Sequence, residues 1–214
     1  MSTDETSAPP DPRRLDPLLE KWKSGTQWLR CHNVGFGATE FNPGSGRGRF
    51  HPFASPTGAP VPSLYGATTM DGALAETVFR SITVLGPRRL VRSSALLPMV
   101  VSTLAARRDL VLAQLHGFGL DRLGISRAGL IDAGPPHYPA SALWAQAIHR
   151  CNLRIDGLVW VSRLHDTSFA LVLFGDRVHR TELSVVEPPV PLHDGPGLAR
   201  VRQAADQAAI ILLE

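Results

Sequence analysis

Arg49, Tyr65 and Glu76 fall in that order within one stretch, GRFHP, then a Pro/Gly-rich loop, then SLYGATTMDGALAETVF. An arginine fork grips two oxygens of a phosphate or carboxylate at once. An aromatic ring offers a stacking face. A carboxylate stabilises positive charge that develops during bond cleavage. Together on adjoining elements, the three are what a pocket needs to hold an anionic nucleotide and stabilise positive charge on its sugar. Taken singly, each has an ordinary explanation: a solvated helix-face glutamate, an edge-strand tyrosine, a surface arginine. His51, two residues from Arg49, is the histidine nearest to this set.

The elements that must position these residues read as follows. Ser63 to Ala67 alternates as a strand, and Thr68 opens a helix with Asp71 at capping-box spacing. Leu74, Val78 and Ile82 form an apolar row at i, i+4, i+8, which leaves Glu76 off that row, two turns in. RGRFHPF reads as a strand carrying Arg49, and residues 56–62 as a loop. Upstream, residues 26–33 (TQWLRCHN) read as a strand. Residues 13–24 read as a short amphipathic helix with Leu15, Leu18, Leu19 and Trp22 along one stripe. Downstream, residues 89–104 and 109–115 alternate as strands. Residues 119–125 and 141–153 read as helices, the second turning Leu143, Ala147 and Ile148 inward. DGLVWVS and FALVLFGD are the clearest strand pair, followed by a strand through Val185 and Val186 and a helix at 197–209. Strands outnumber helices without alternating regularly, so the expected fold class is α+β: one domain, a mixed and mostly antiparallel sheet with flanking helices. Residues 1–25 are expected to form a polar N-terminal arm with a short helix, and residues 26–214 the domain itself.

Composition excludes several classes. The chain has 214 residues, 43% hydrophobic and 19% charged, as in an ordinary globular domain. No apolar run reaches the ~18 residues of a membrane span, and the polar, acidic N-terminus does not read as a secretory signal. Cys31 and Cys151 form no disulfide framework, so a cytoplasmic setting with buried free thiols is expected. Net charge is +3, and the basic side is almost wholly arginine, with Lys21 and Lys23 the only lysines. There is no basic run, aromatic-interleaved strand pattern or zinc-finger spacing, so direct nucleic-acid binding is not expected. The Gly35/Gly37, Gly44/Gly46/Gly48 and Gly117/Gly119 clusters all miss the last glycine of a dinucleotide fingerprint. GxSxG, P-loop and HExxH patterns are absent, and no metal site is expected.

The run GRFHP…SLYGATTMDGALAETVF, followed far downstream by GLVWVSRLHDTSFALVLFG, resembles the RES domain, named for its arginine, glutamate and serine. Those residues correspond to Arg49, Glu76 and Ser162, with Tyr65 in LYGAT and Arg30 in WLRCH as further matches, over roughly 27–178. The first strand starts later than in compact members, the loop between Arg49 and Tyr65 is longer, and Trp160 stands where a tyrosine is common. The resemblance implies a fold similar to diphtheria-toxin-type ADP-ribosyltransferases. It also implies an activity that splits the nicotinamide–ribose bond of NAD, with water or inorganic phosphate as acceptor and no separate cofactor. It implies a partner protein as well, an antitoxin with a Xre-like helix-turn-helix; self-association into a homodimer is left open.

On that reading Glu76 and Arg49 act on the reacting sugar and the pyrophosphate, and Tyr65 stacks on nicotinamide or ribose. Ser162 either holds the carboxamide or positions Glu76, and Arg30 is a second candidate for a phosphate. Cleavage passes through an oxocarbenium-like state, and because nicotinamide departs neutral, no general acid is required. Two other readings stay open at this level: transfer of ADP-ribose to a protein, and a catalytically silent nucleotide-binding module.

Overall fold

The computed structural model describes residues 7–80, 83–85 and 88–213. An eight-stranded sheet is built from β1 (Leu19–Trp22), β2 (Gln27–Asn33), β3 (Ser63–Ala67), β6 (Met99–Ala106), β7 (Leu110–Gln114), β8 (Gly157–Val161), β9 (Phe169–Phe174) and β10 (Leu183–Pro191). Its order is β1-β7-β8-β9-β3-β2-β6-β10, antiparallel throughout except for the parallel β7–β8 pair. A smaller sheet joins β4 (Thr83–Leu85), β5 (Arg88–Arg92) and β11 (Ile210–Leu213), with β11 parallel to β5. Among the described residues five helices flank the sheets: α1 (Met70–Glu76), α2 (Phe118–Leu123), α3 (Arg127–Leu130), α4 (Tyr138–Cys151) and α5 (Gly195–Gln207). The fold is α+β in one domain, as the count and spacing of strands imply. Among the described residues no helix is long and apolar enough to cross a membrane.

The LYGAT block shows how local sequence becomes position. Strand side chains alternate between faces. Leu64 is fully buried in the core on one face, beside Leu171 and Leu173, while Tyr65 points to the other, toward Trp160. Gly66 lies so close to Trp28 of β2 that a Cβ would overlap the indole, which is why the position takes no side chain. The first threonine of the pair after Ala67 is used by the sheet: Thr68 Oγ1 accepts from Phe169 N at 3.0 Å. The helix cap is therefore Thr69 rather than Thr68, its hydroxyl accepting from Gly72 N at 3.0 Å.

Several expectations are corrected. The helix carrying Glu76 is a single seven-residue segment that ends at Glu76, with β-branched Thr77 outside helical geometry and Phe79 N closing onto Leu74 O at 2.9 Å. Leu74 is in the core, Val78 lies past the helix end, and Ile82 falls outside the described residues. The amphipathic helix expected over 13–24 is instead a short 3-10 turn, Pro12–Arg14, followed by edge strand β1, which pairs with β7 and buries Trp22. The stripe of leucines and tryptophan fits either period over so short a run, and the open edge of β7 decides for a strand. Residues 93–96 interrupt the strand expected over 89–104 as a 3-10 turn. In α4 the inward face is Trp144, Ala145, Ala147 and Ile148, and Leu143 is 50% exposed. Strand β11 follows α5 where the helix was expected to run to 209.

Candidate active site

The strand expected at RGRFHPF is a tight turn. Gly48 N donates to His51 O at 3.0 Å, leaving Arg49 and Phe50 at the corner. A Cβ on Gly48 would run into the His51 ring. Phe50 is fully buried and packs edge-on against Trp160, ring centroids 4.9 Å apart. The Tyr65 hydroxyl completes the anchor: it accepts from Phe50 N at 3.2 Å and lies 3.0 Å from His51 Nδ1. The turn is thereby pinned to β3, and Arg49 is delivered beside Tyr65.

Strands β2 and β3 share a single paired position, Leu29 with Ala67. Where they part, α1 and the Arg49 turn close over a cavity of about 210 Å³. Its walls include Arg49, Tyr65, Glu76, Arg80, Tyr138 and Trp160. Ala67 and Ala170, cross-strand partners beside Trp160, contribute small side chains that leave the hollow open.

Glu76 sits at the last position of α1. It is held by Ser162, whose hydroxyl donates to Glu76 Oε1 at 2.7 Å. Ser162 is fully buried, and its Oγ accepts from Leu164 N and His165 N, both at 3.2 Å. The Ser162 side chain is committed to that bond and to the turn after β8.

Arg49 is 5% exposed. Its Nη1 donates to Ala133 O at 2.7 Å and Leu130 O at 3.2 Å, and its guanidinium lies 5.2 Å from the Tyr138 ring centre. Burial lowers its pKa, the charge of Glu76 opposes that shift, and the charges of Arg163 and Arg80 add to it. Burial also raises the Tyr65 hydroxyl's pKa, so it stays protonated at neutral pH.

Arg30 is the candidate that the structure removes from the site. Leu29 and Cys31 line the cavity, so the alternation of β2 turns Arg30 to the opposite face. There it donates to Ala38 O at 2.7 Å and braces the following loop. Burial lowers its pKa to about 10, which still leaves it charged at neutral pH. Two wall residues were not anticipated. Arg80, four residues after Glu76, had spacing as its only signal, and Tyr138 had none. Cys31 and Cys151 are both free, and burial raises both thiols. Among the described residues no group of three His, Cys, Asp or Glu side chains is placed to hold a metal ion.

Removing only the tyrosine oxygen tests the anchor. Tyr65→Phe leaves Phe50 N–H and His51 Nδ1 without their shared partner, at a cost of about 1–3 kcal/mol for buried polar groups left unpaired. We expect a lowered melting temperature together with reduced activity, and a further drop in Tyr65→Ala, which also loses the ring. A Tyr65→Phe protein that matches the parent in both measurements would show that the hydroxyl anchors nothing.

The histidines give a pH dependence. Burial depresses the pKa of His32, His51 and His149 below the ordinary value of 6.5. The unfolded chain therefore binds protons before the folded one as pH falls. Stability contributed by these neutral histidines is fully present above 6.5 and is lost as pH drops through their folded values. Melting curves between about pH 7 and about pH 5 should show a steadily falling transition. A flat profile over that interval would contradict the burial argument.

Fold and site define an α+β domain whose mostly antiparallel sheet carries, at a parting of two strands, a pocket of paired cations, aromatic rings and one braced carboxylate. The RES domain model matches residues 27–194, and the chain belongs to that family. A chain in the crystal structure of the M. tuberculosis MbcT–MbcA toxin–antitoxin complex has the same fold. The TM-score is 0.60 over 87% of this chain and 92% of that one, at 14% identity. Among curated proteins none matches this sequence.

Proposed function

We propose that this protein degrades NAD by cleaving its nicotinamide–ribose bond, as a phosphorylase or glycohydrolase, and that it is the toxin of a toxin–antitoxin pair. The observation that carries the reading is the Glu76 carboxylate held at 2.7 Å by the buried Ser162 hydroxyl, on the wall of a cavity that also presents Arg49 and Tyr65. Such a carboxylate is preorganised for positive charge that appears on the ribose only as the bond breaks. Nicotinamide leaves neutral, so no general acid is required. The N–H groups of Arg49 not bound to Leu130 and Ala133 carbonyls serve the pyrophosphate, and the rings of Tyr65 and Trp160 flank the base and sugar. Water or phosphate then meets the ribose carbon.

RES membership and a fold shared with a toxin–antitoxin complex support an antitoxin partner; the Xre-like class of that partner, and action in the cytoplasm where NAD is available, complete the reading. The test is nicotinamide release from NAD by the purified chain, with and without inorganic phosphate, beside growth and cellular NAD on expression alone. Release that rises with phosphate identifies a phosphorylase, and phosphate-independent release a glycohydrolase. No release, with normal growth and NAD, would overturn the reading.

A further inference from the structure

Arg80 lines the same cavity as Arg49, and its guanidinium lies 5.0 Å from the centre of the Tyr138 ring, which Arg49 approaches to 5.2 Å. Two guanidinium groups thus share one aromatic ring. A cation–π contact with a ring leaves a guanidinium's N–H groups available to bond an anion. Among the described residues the Arg80 guanidinium has no hydrogen-bonded or ion-paired partner, and the Arg49 guanidinium hydrogen-bonds only carbonyls. A third arginine, Arg163, acts electrostatically on Arg49, and its Nε is buried without a partner among the described residues. Among the described residues the one carboxylate on the cavity wall, Glu76, is bonded to Ser162.

Like charges held close together cost energy, which Glu76 offsets for Arg49 and which a bound anion would offset further. Burial lowers the pKa of Arg49; Tyr138 and Glu76 oppose that shift, and Arg163 and Arg80 add to it. We propose that Arg80 is a substrate-binding residue, the second half of a phosphate clamp in which Arg49 and Arg80, both lying over the Tyr138 ring, grip one phosphoanion with their N–H groups. This rests on the NAD-cleaving reading of the cavity and assigns within it a residue outside the Arg–Glu–Ser set. Two sources supply that chemistry: the pyrophosphate of the dinucleotide, or a free phosphate acting as acceptor.

The experiment is calorimetric titration of the full chain and of Arg80→Ala, Arg80→Gln and Arg80→Lys with ADP-ribose and, separately, with inorganic phosphate. Loss of hydrogen bonds to a charged group predicts about ten- to hundredfold weaker binding in Arg80→Ala, incompletely restored by lysine, which lacks the planar fork. Weakening confined to ADP-ribose places the dinucleotide's pyrophosphate in the clamp, and weakening confined to phosphate places the acceptor there. Melting curves accompany each variant, and Arg80→Gln keeps a planar group on Tyr138 should the alanine protein fail to fold. Affinities within about twofold of the parent for both probes, or a parent that binds neither, would overturn the clamp. Nicotinamide release by the parent is scored separately. A parent that binds ADP-ribose through Arg80 yet releases none sinks the reaction but keeps the clamp; release with unaltered binding in folded variants does the reverse.

Discussion

Glu76→Gln is expected to lower single-turnover nicotinamide release by about 10²–10³-fold, the scale of deleting one preorganised electrostatic group, while leaving folding and NAD affinity nearly intact. The side chain is half-buried and isosteric with glutamine, whose carbonyl oxygen accepts the Ser162 hydroxyl just as Oε1 does at 2.7 Å. Position is therefore kept and charge alone is removed. In the ground state the positive charge of the substrate lies on nicotinamide, and it reaches the ribose only as the bond stretches. On the proposed reaction the carboxylate favours the transition state over the bound substrate, and its loss is expected to fall on turnover more than on binding. A melting curve beside the kinetic trace separates this from unfolding. If the folded variant still cleaves NAD within a few-fold of the parent, Glu76 leaves the mechanism and the NAD-cleaving reading loses its main support.

Arg49→Lys is expected to weaken ADP-ribose binding by about ten- to hundredfold although the charge is conserved. In the structure one end of the guanidinium, Nη1, holds the carbonyls of Ala133 and Leu130, and its other N–H groups have no protein partner among the described residues. The fork serves two masters: it fixes the segment after α3 and still reaches the cavity. A lysine ammonium is one compact point, so engaging those carbonyls draws it away from the ligand, and reaching the ligand leaves them unpaired. Stacking on Tyr138 is weakened as well. Calorimetry with ADP-ribose on a variant shown to be folded gives the answer; unchanged affinity would mean that Arg49 is no phosphate ligand.

Much of this protein is decided by residues close together in the chain. Alternation and β-branching place β2, β3, β8 and β9 in the sequence nearly where the structure has them, because those preferences act over a few residues. The same holds for the order Leu64 inward, Tyr65 toward Trp160 and Gly66 against Trp28, which delivers a tyrosine, then a capped helix with its glutamate, to one side of the sheet. Arg49, Tyr65 and Glu76 are accordingly legible as neighbours, whereas Ser162 joins them only through the resemblance to the RES domain.

What tertiary structure alone decided is which face each element turns to its neighbours, and that depends on partners distant in sequence. Arg30 sits on the right strand but on the wrong side of it, and no local property of WLRCH distinguishes the two sides. The segment through Leu19 and Trp22 carries a pattern that a helix or a strand can satisfy, and the unpaired edge of β7 chose. Glycine at position 48 and the Phe50 side chain drawn under Trp160 bend GRFH into a turn, where the apolar and polar residues alone suggest extension. Arg80 and Tyr138 meet only because the chain leaves helical geometry at Thr77 and because α4 packs its first residue against the cavity. Short-range propensity acts through a residue's own backbone and its near neighbours, whereas a site assembled from separate elements depends on long-range contacts that exist only once the sheet has closed.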